Sequence, residues 1–366
     1  MPHTEPALGK TLLNDVKHVG FFLELKREWQ DIRSFYISEE KRDRLAKMNR
    51  LKRWFVMSWW VLKAMFLKLT PFRRILLVLG IVFIASVRTS VTTGHGDGVS
   101  FEGAPFLGLV VLLIVLALEL KDKLLARSEL QAGRVVQAAM RPEQSPEVTG
   151  WNLWLFTRPA NEVGGDLVDF MRLGGDRYGI AIGDVSGKGL GAALLMVKIQ
   201  ATLRALAPDF PSPASFMTKL NQILSRDHIP GSFTSLIFLH LSAASTGIRY
   251  VNAGHMRPLH LTGEQVVELP KGDVALGLAS DSAYAEQSLT IGRGQSLILY
   301  SDGVVEAQNK EGEFFGLERF KGLCTAMGSL SPRAFGEKLV ADVERFIGSA
   351  RGMDDLSLVI LQREGV

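Results

Sequence analysis

Two long uncharged runs divide this chain and limit what it can fold into. Ile75–Val87 reads ILLVLGIVFIASV, and Ala104–Leu118 reads APFLGLVVLLIVLAL. Neither carries a polar stripe, so neither suits the surface of a soluble domain. Each falls short of the roughly 20 residues that cross a bilayer. Flanking aromatic residues and snorkelling Arg or Lys can extend both. A pair of buried core helices is the competing reading, and charge asymmetry argues against it. From Lys41 to Arg74 there are eleven Lys or Arg and one acid, Asp43; Lys121, Lys123 and Arg127 follow the second run, while the connection holds Arg88, Asp97 and Glu102. By the positive-inside rule the runs form a hairpin with both ends in the cytoplasm, as in a multi-pass inner-membrane protein. The basic stretch then faces anionic lipid rather than nucleic acid. The segment Trp54–Leu69 (WFVMSWWVLKAMFLKL) suits a helix lying in the membrane interface, or a third embedded helix. The first apolar run comes too late for a cleavable signal peptide.

The 366 residues thus divide into a basic, helical, membrane-proximal segment (1–70), a two-helix hairpin (71–120), a linker helix (121–145) and a larger domain (146–366). Glu119–Met140 is rich in helix formers and ends at Arg141-Pro142. Leu125, Ala132, Val136 and Ala139 give it a partial stripe, consistent with a solvent-exposed linker or with a homodimer helix carrying a signal from the membrane. The single Cys324 excludes an intramolecular disulfide and reads as a small buried hydrophobe. From about Gly150, short β-rich runs appear: Trp151–Phe156, Tyr178–Asp184, Thr234–Leu241, Gly247–Val251, Gln287–Ile291, Ser296–Ser301 and Leu356–Leu361. Helical patterns interrupt them at Leu190–Ala207, Pro213–Arg226 and Pro332–Ile347. Strands grouped in meanders predict an α+β domain with antiparallel sheets.

Within that domain GDVSGKG (Gly183–Gly189) invites a phosphate-loop reading, which fails. Three residues rather than four separate Gly183 from Gly187, Gly189 stands where a Ser or Thr must be, and Asp184 brings negative charge. An aspartate on such a turn is better suited to a cation. Similar settings recur at Gly164-Gly165-Asp166, Ser301-Asp302-Gly303 and Met353-Asp354-Asp355, three of the four bordering an apolar strand. Each alone is an ordinary turn. Converging carboxylates repel one another unless a cation sits between them. Oxygen ligands suit Mg²⁺ or Mn²⁺, and the scarcity of histidine argues against zinc. Two such ions can ready a water for displacement at phosphorus, so metal-assisted phosphate hydrolysis is the reaction class these residues suggest.

The ordered motifs AN-EVGGDLVDF, AIGDVSGKGLGAALLM, YVNAGHMRPL, LILYSDGVVEAQN and GMDDLSLVIL resemble the metal-dependent protein phosphatase 2C superfamily, and within it the bacterial sporulation and stress-response branch. LQAGRVVQAAMRP is similar to the helix that leads into that domain. The resemblance covers about residues 128–364. It implies an α-β-β-α sandwich of two antiparallel sheets flanked by helices. It implies a serine/threonine protein phosphatase using two Mn²⁺ or Mg²⁺ ions and a metal-activated water. It carries catalytic and metal-binding positions onto Asp166, Asp184, Asp302 and Asp354, with Asp355 ranked below Asp354 and the backbone of Gly183 and Val185 nearby. Asp169, Asn252 and His255 become supporting residues. For His255 a turn or hydrogen-bonding role is favoured over a general acid; Lys188 reads as solvated rather than charge-balancing. Asn161 stands where the eukaryotic branch has a phosphate-binding arginine. The helix over Leu190–Ala207 corresponds to a switch. The implied substrate is a phosphorylated regulatory protein of the anti-sigma-factor antagonist type. Two other readings compete. One is a diguanylate cyclase, because VGGDLVDF echoes GGDEF, although Leu167 and Val168 replace its Glu-Phe. The other is a catalytically silent partner-binding module.

Overall fold

The computed structural model describes residues 45, 48–85, 104–227, 231–243, 245–263, 265–350 and 354–364. Expectations for residues 1–44, for the connection 86–103 and for Met353 lie outside them. The chain divides into two compact units, Met1–Leu124 and Leu125–Val366.

Absence of a polar stripe shapes the first unit. Helix α1 (Arg50–Lys68) buries Met57 and Val61 with Leu45, while Trp54, Phe55, Trp59 and Leu62 stay exposed. The Arg74 guanidinium donates to the Phe66 and Leu67 carbonyls, covering the end of α1 where backbone acceptors lack partners. Helix α2 (Pro71–Ala85) packs on α3 (Ala104–Ala139) through two glycines. A Cβ on Gly108 would stand 2.7 Å from the Gly80 carbonyl and 2.8 Å from Ile84 Cγ1, so no larger residue fits. Arg73, near the start of α2, pairs with Glu119 and Asp122 of α3, both at 2.7 Å. Those pairs and the glycine crossing make α2 and α3 antiparallel. Away from that contact both helices expose apolar side chains, among them Phe72, Ile75, Ile81, Phe106, Leu109 and Leu113. The second apolar run and the linker form one continuous helix, α3, of 36 residues. Among the described residues one helix is long and apolar enough by composition to cross a membrane, Leu190–Asp209. It packs into the core of the second unit, so it is a core helix.

Period-two alternation builds the second unit. One sheet has the order β1-β10-β9-β6-β7 and the other β2-β3-β4-β5-β8, with every pairing between strands antiparallel. The strands are β1 (Trp151–Arg158), β2 (Leu167–Gly174), β3 (Arg177–Val185), β4 (Thr234–Ser242), β5 (Gly247–Ala253), β6 (Leu259–Thr262), β7 (Gln265–Glu268), β8 (Gln287–Thr290), β9 (Ser296–Tyr300) and β10 (Leu356–Arg363). Leu153, Ile180, Ile182, Ile237, Leu239, Val359 and Leu361 fill the space between the sheets. Outside the second sheet lie α4 (Leu190–Leu206) and α5 (Pro213–Arg226), burying Ile199, Leu203, Phe216 and Leu220 against Leu236 and Phe238. The short α6 (Asp302–Val305), with α7 (Leu317–Met327) and α8 (Pro332–Ile347), covers the first sheet. Gly336 of α8 lies flat on the Trp154 ring, where any Cβ would collide. The result is the expected four-layer α-β-β-α sandwich. Cys324 is buried under α7, and burial pushes its thiol up to about 12.

Five elements go beyond the sequence reading, the short α6 among them. Strand β2 grows out of the Gly-Gly-Asp motif and carries Asp169 and Arg172. Strands β6 and β7 form a short hairpin. Helix α7 buries Phe320, Cys324 and Met327 at helical spacing.

Candidate active site

The same alternation that fills the core creates a polar end to it. Val168, Ile182, Ile237, Leu299 and Val359 face the space between the sheets. Two residues further along each strand, at one common end, stand Asp166, Asp184, Ser235, Ser301 and Ser357. They therefore share the inner face. Leu167 pairs with Gly183, and the Val185 N–H donates to the Gly165 carbonyl at 3.3 Å. Asp166 and Asp184 consequently face one another across β2 and β3. Asp302 follows β9 at the start of α6, and Asp354 precedes β10.

Glycine makes this convergence sterically possible. A Cβ on Gly165 would approach the Val185 carbonyl to 2.9 Å and Asp184 Oδ1 to 3.2 Å. One on Gly164 would overlap the Asp355 carboxylate, and one on Gly303 the Asp355 carbonyl.

Electrostatics bind the carboxylates into one group. Burial drives Asp166 well above the usual carboxylate range; the Ser357 and Ser301 hydroxyls oppose this, and Asp184 and Asp355 add to it. Its Oδ2 is buried with no hydrogen-bond partner. Burial, then Asp302, Asp354 and Asp355, push Asp184 up to about 7 against the pull of Lys188. Asp302 is raised by burial, Glu306 and Asp354. Lys188 pairs with Asp354 at 3.1 Å although it is 76% exposed, so it does offset charge where solvation was expected. Among the described residues no three His, Cys, Asp or Glu form a closed metal cage. An orphaned buried oxygen beside several repelling carboxylates nonetheless fits a divalent cation, a hard ion that takes oxygen ligands.

Asp355 has a different task from Asp354. Its carboxylate accepts from the backbone N–H groups of Ala160 (2.7 Å), Gly165 (2.6 Å) and Asp166 (3.2 Å). Both oxygens are engaged by backbone donors, so Asp355 is a staple that shapes the Gly-Gly-Asp loop. Asp169 is fully buried and takes a two-pronged ion pair from Arg204 of α4, both contacts 2.8 Å. Arg204 also donates to the Met140 carbonyl, as does Gln200 at 2.9 Å. Gln137 near the end of α3 clasps Gly164, donating to its carbonyl at 2.7 Å and accepting from its N–H at 3.2 Å. Sequence reasoning assigned no role to Gln137, Arg204 or Ser235. A lone Gln among Val and Ala at a helix end was the available signal for the first.

Asn252 shapes the turn after β5. Its Oδ1 accepts from the His255 N–H at 2.8 Å, and its Nδ2 donates to the His255 carbonyl at 3.1 Å. The His255 ring is buried, its Nδ1 lies 2.9 Å from Ser235 Oγ, and burial lowers its pKa to about 4.

Residues 174–364 match the family described as Stage II sporulation protein E (SpoIIE), which is more than half of the chain. The chain belongs to the SpoIIE family. The match takes in Asp184, His255, Asp302 and Asp354, and begins just after Asp166 and Asp169. Among curated relatives of this SpoIIE-family chain, Protein IcfG of Synechocystis is 30% identical over 280 residues, 68% of this chain and 43% of the relative. Phosphoserine phosphatase RsbU of Bacillus subtilis is 24% identical over 188 residues, 51% of this chain and 56% of the relative. The chain thus spans about half the length of the curated relatives it matches. The SiaA-PP2C domain of Pseudomonas aeruginosa superposes with a TM-score of 0.56 at 20% identity, over 66% of this chain and 98% of that one. The RsbU and RsbW domains of a Mycobacterium tuberculosis protein superpose with a TM-score of 0.51 at 26% identity, over 61% of this chain and 63% of that one. The fold of this SpoIIE-family member is therefore that of PP2C domains.

Proposed function

We propose that this chain is a metal-dependent serine/threonine protein phosphatase. The observation that carries the reading is the set of carboxylates on Asp166, Asp184, Asp302 and Asp354, crowded at one end of the sandwich, with Lys188 paired to Asp354. Asp166 and Asp184 would hold ions on one side, and Asp302 and Asp354 would complete the other. When bound, Mn²⁺ or Mg²⁺ supplies an acidified water and positive charge for in-line displacement at phosphorus. The protein's own work is positional. The Asp355 staple fixes the Gly-Gly-Asp loop, and the Asp166–Asp184 pairing fixes the separation of the two facing acids. Family membership and the phosphoserine phosphatases among the relatives support this reading. The substrate class is a phosphoserine or phosphothreonine on a regulatory protein of the anti-sigma-factor antagonist type.

The N-terminal half supplies location and input in this proposal. Helices α2 and α3 cross the inner membrane as a hairpin, and α1 lies along the cytoplasmic surface with its aromatic residues in lipid. Exposed Leu125, Val135 and Val136 on the later part of α3 provide a surface for a homodimer. The end of α3 touches both the Gly-Gly-Asp loop through Gln137 and α4 through Met140, which makes it a route by which a signal reaches the site. A reporter fused at Gly96 should report outside and one after Val366 inside.

The deciding assay is Mn²⁺-dependent release of phosphate from a phosphorylated protein or from p-nitrophenyl phosphate. Activity should vanish with chelator and in Asp184→Ala and Asp302→Ala. Cyclic dinucleotide made from GTP would instead favour the cyclase. A folded, manganese-loaded chain inert on all phosphoproteins would favour the silent module.

A further inference from the structure

The segment after β5 carries the chain from one sheet to the other. Strand β5 belongs to the sheet that holds Asp184, and β6 pairs with β9, the strand that leads into Asp302. His255 lies on this crossover. Its backbone is fixed at both ends by the Asn252 side chain. Gly254 holds a left-handed conformation (φ +71°) and lies against Ala275, where a Cβ would come within 2.8 Å, so the crossover has little freedom to shift.

Fixed in this way, the ring reaches back to β4 of the second sheet. Its Nδ1 lies 2.9 Å from the Ser235 hydroxyl. Ser235 is the direct cross-strand partner of Asp184 in the β3–β4 register, and both side chains point to the inner face. The other ring nitrogen, Nε2, is buried with no hydrogen-bond partner. The ring thus touches the neighbour of one acid, while its backbone lies on the segment that leads to β6, the partner of β9. It is buried away from solvent, a poor place for a group that must exchange protons with a substrate.

We propose that His255 is a positioning residue that sets Ser235 against Asp184 and so holds the Asp184 end of its sheet as divalent-cation binding requires. It acts through Ser235 and the backbone and does not touch the reacting atoms. This rests on the phosphatase reading for its ligand, Mn²⁺, but its test is a binding measurement. Partners that orient metal ligands typically contribute ten- to a hundred-fold to metal affinity.

Calorimetric titration of the full-length chain with Mn²⁺ tests it, using His255→Ala, Ser235→Ala, the double variant and His255→Gln. Each single alanine variant should weaken Mn²⁺ binding about tenfold or more. The double variant should be no worse than the weaker single, because the two residues act as one unit. His255→Gln, which keeps a side-chain hydrogen-bonding group, should recover part of the affinity. The pH profile of residual p-nitrophenyl phosphate hydrolysis should keep its wild-type shape, whereas loss of a general acid would remove one limb. Unchanged Mn²⁺ affinity in Ser235→Ala or His255→Ala would overturn the proposal, as would a lost limb in the pH profile. If His255→Ala fails to fold, Ser235→Ala alone decides. Failure of the wild-type chain to bind Mn²⁺ would overturn the phosphatase reading and this one together. Wild-type binding that depends on Asp184 but not on His255 or Ser235 would overturn this one alone.

Discussion

Replacing Asp184 with Asn should make the metal-free second unit more stable, an unusual outcome for a candidate site residue. In the folded chain the Asp184 carboxyl is raised from an ordinary 3.8 to about 7, first by burial and then by Asp302, Asp354 and Asp355. Each tenfold change in proton affinity is worth about 1.4 kcal/mol, so ionised Asp184 costs the fold at most about 4 kcal/mol. The site is partly open to water, and screening reduces this to about 2–4 kcal/mol. The sign follows from linkage. A carboxyl whose folded pKa is raised imposes no penalty below its unfolded pKa, near 3.8. As pH rises toward 7 the folded state must give up a proton it holds more tightly than the unfolded state does, and stability falls. Above 7 the whole penalty is present. Urea unfolding of Leu125–Val366, a compact unit with its own core, should therefore be measured in chelator from pH 4 to 8. The Asn variant should exceed wild type by about 2–4 kcal/mol at pH 8, with the difference shrinking steadily toward pH 4. Excess Mn²⁺ should reverse the order, because wild type alone keeps the ligand. Equal or lower stability of the variant at pH 8 in chelator would refute the idea that these acids crowd one another.

Other perturbations should act with the opposite sign. Asp355→Ala strands three backbone donors and should cost about 3–5 kcal/mol in chelator, read by the same urea series. Arg204→Met leaves Asp169 buried without its partner and should cost about 3–5 kcal/mol, much of it regained when Asp169→Leu is added. Gly164→Ala drives a methyl group into the Asp355 carboxylate and should weaken Mn²⁺ binding at least tenfold by calorimetry.

Much of the fold was legible because strands buried on both faces read as short apolar, β-rich runs, and all seven of those expected between Trp151 and Leu361 are present. Strand β2 was not, because Asp169 and Arg172 interrupt its pattern; the structure makes Asp169 tolerable by burying it against Arg204, which lies 35 residues on. The short pair β6 and β7 has too few residues for a period to show. At the site, the aspartates were legible as acids at strand ends. The difference between Asp354 and Asp355 was not. Neighbours in sequence, they differ in that one faces Lys188 and the other three N–H groups from the loop between β1 and β2, a distinction set by tertiary contact. Gln137 was hidden for the same reason, since its partner Gly164 lies 27 residues away. The register that sets Asp166 opposite Asp184 depends on β2, so it could not be derived before that strand was known.

Strand β10 follows every other described element in the sequence, yet it lies between β1 and β9 inside its sheet. Its leading residues bring Asp354 to the acidic cluster and the Asp355 staple to the Gly-Gly-Asp loop. During synthesis the first sheet is therefore split until residues 354–363 emerge from the ribosome. A nascent or prematurely terminated chain lacking them would have neither a joined sheet nor the full set of clustered acids, so the acidic site is assembled only once this segment has been translated.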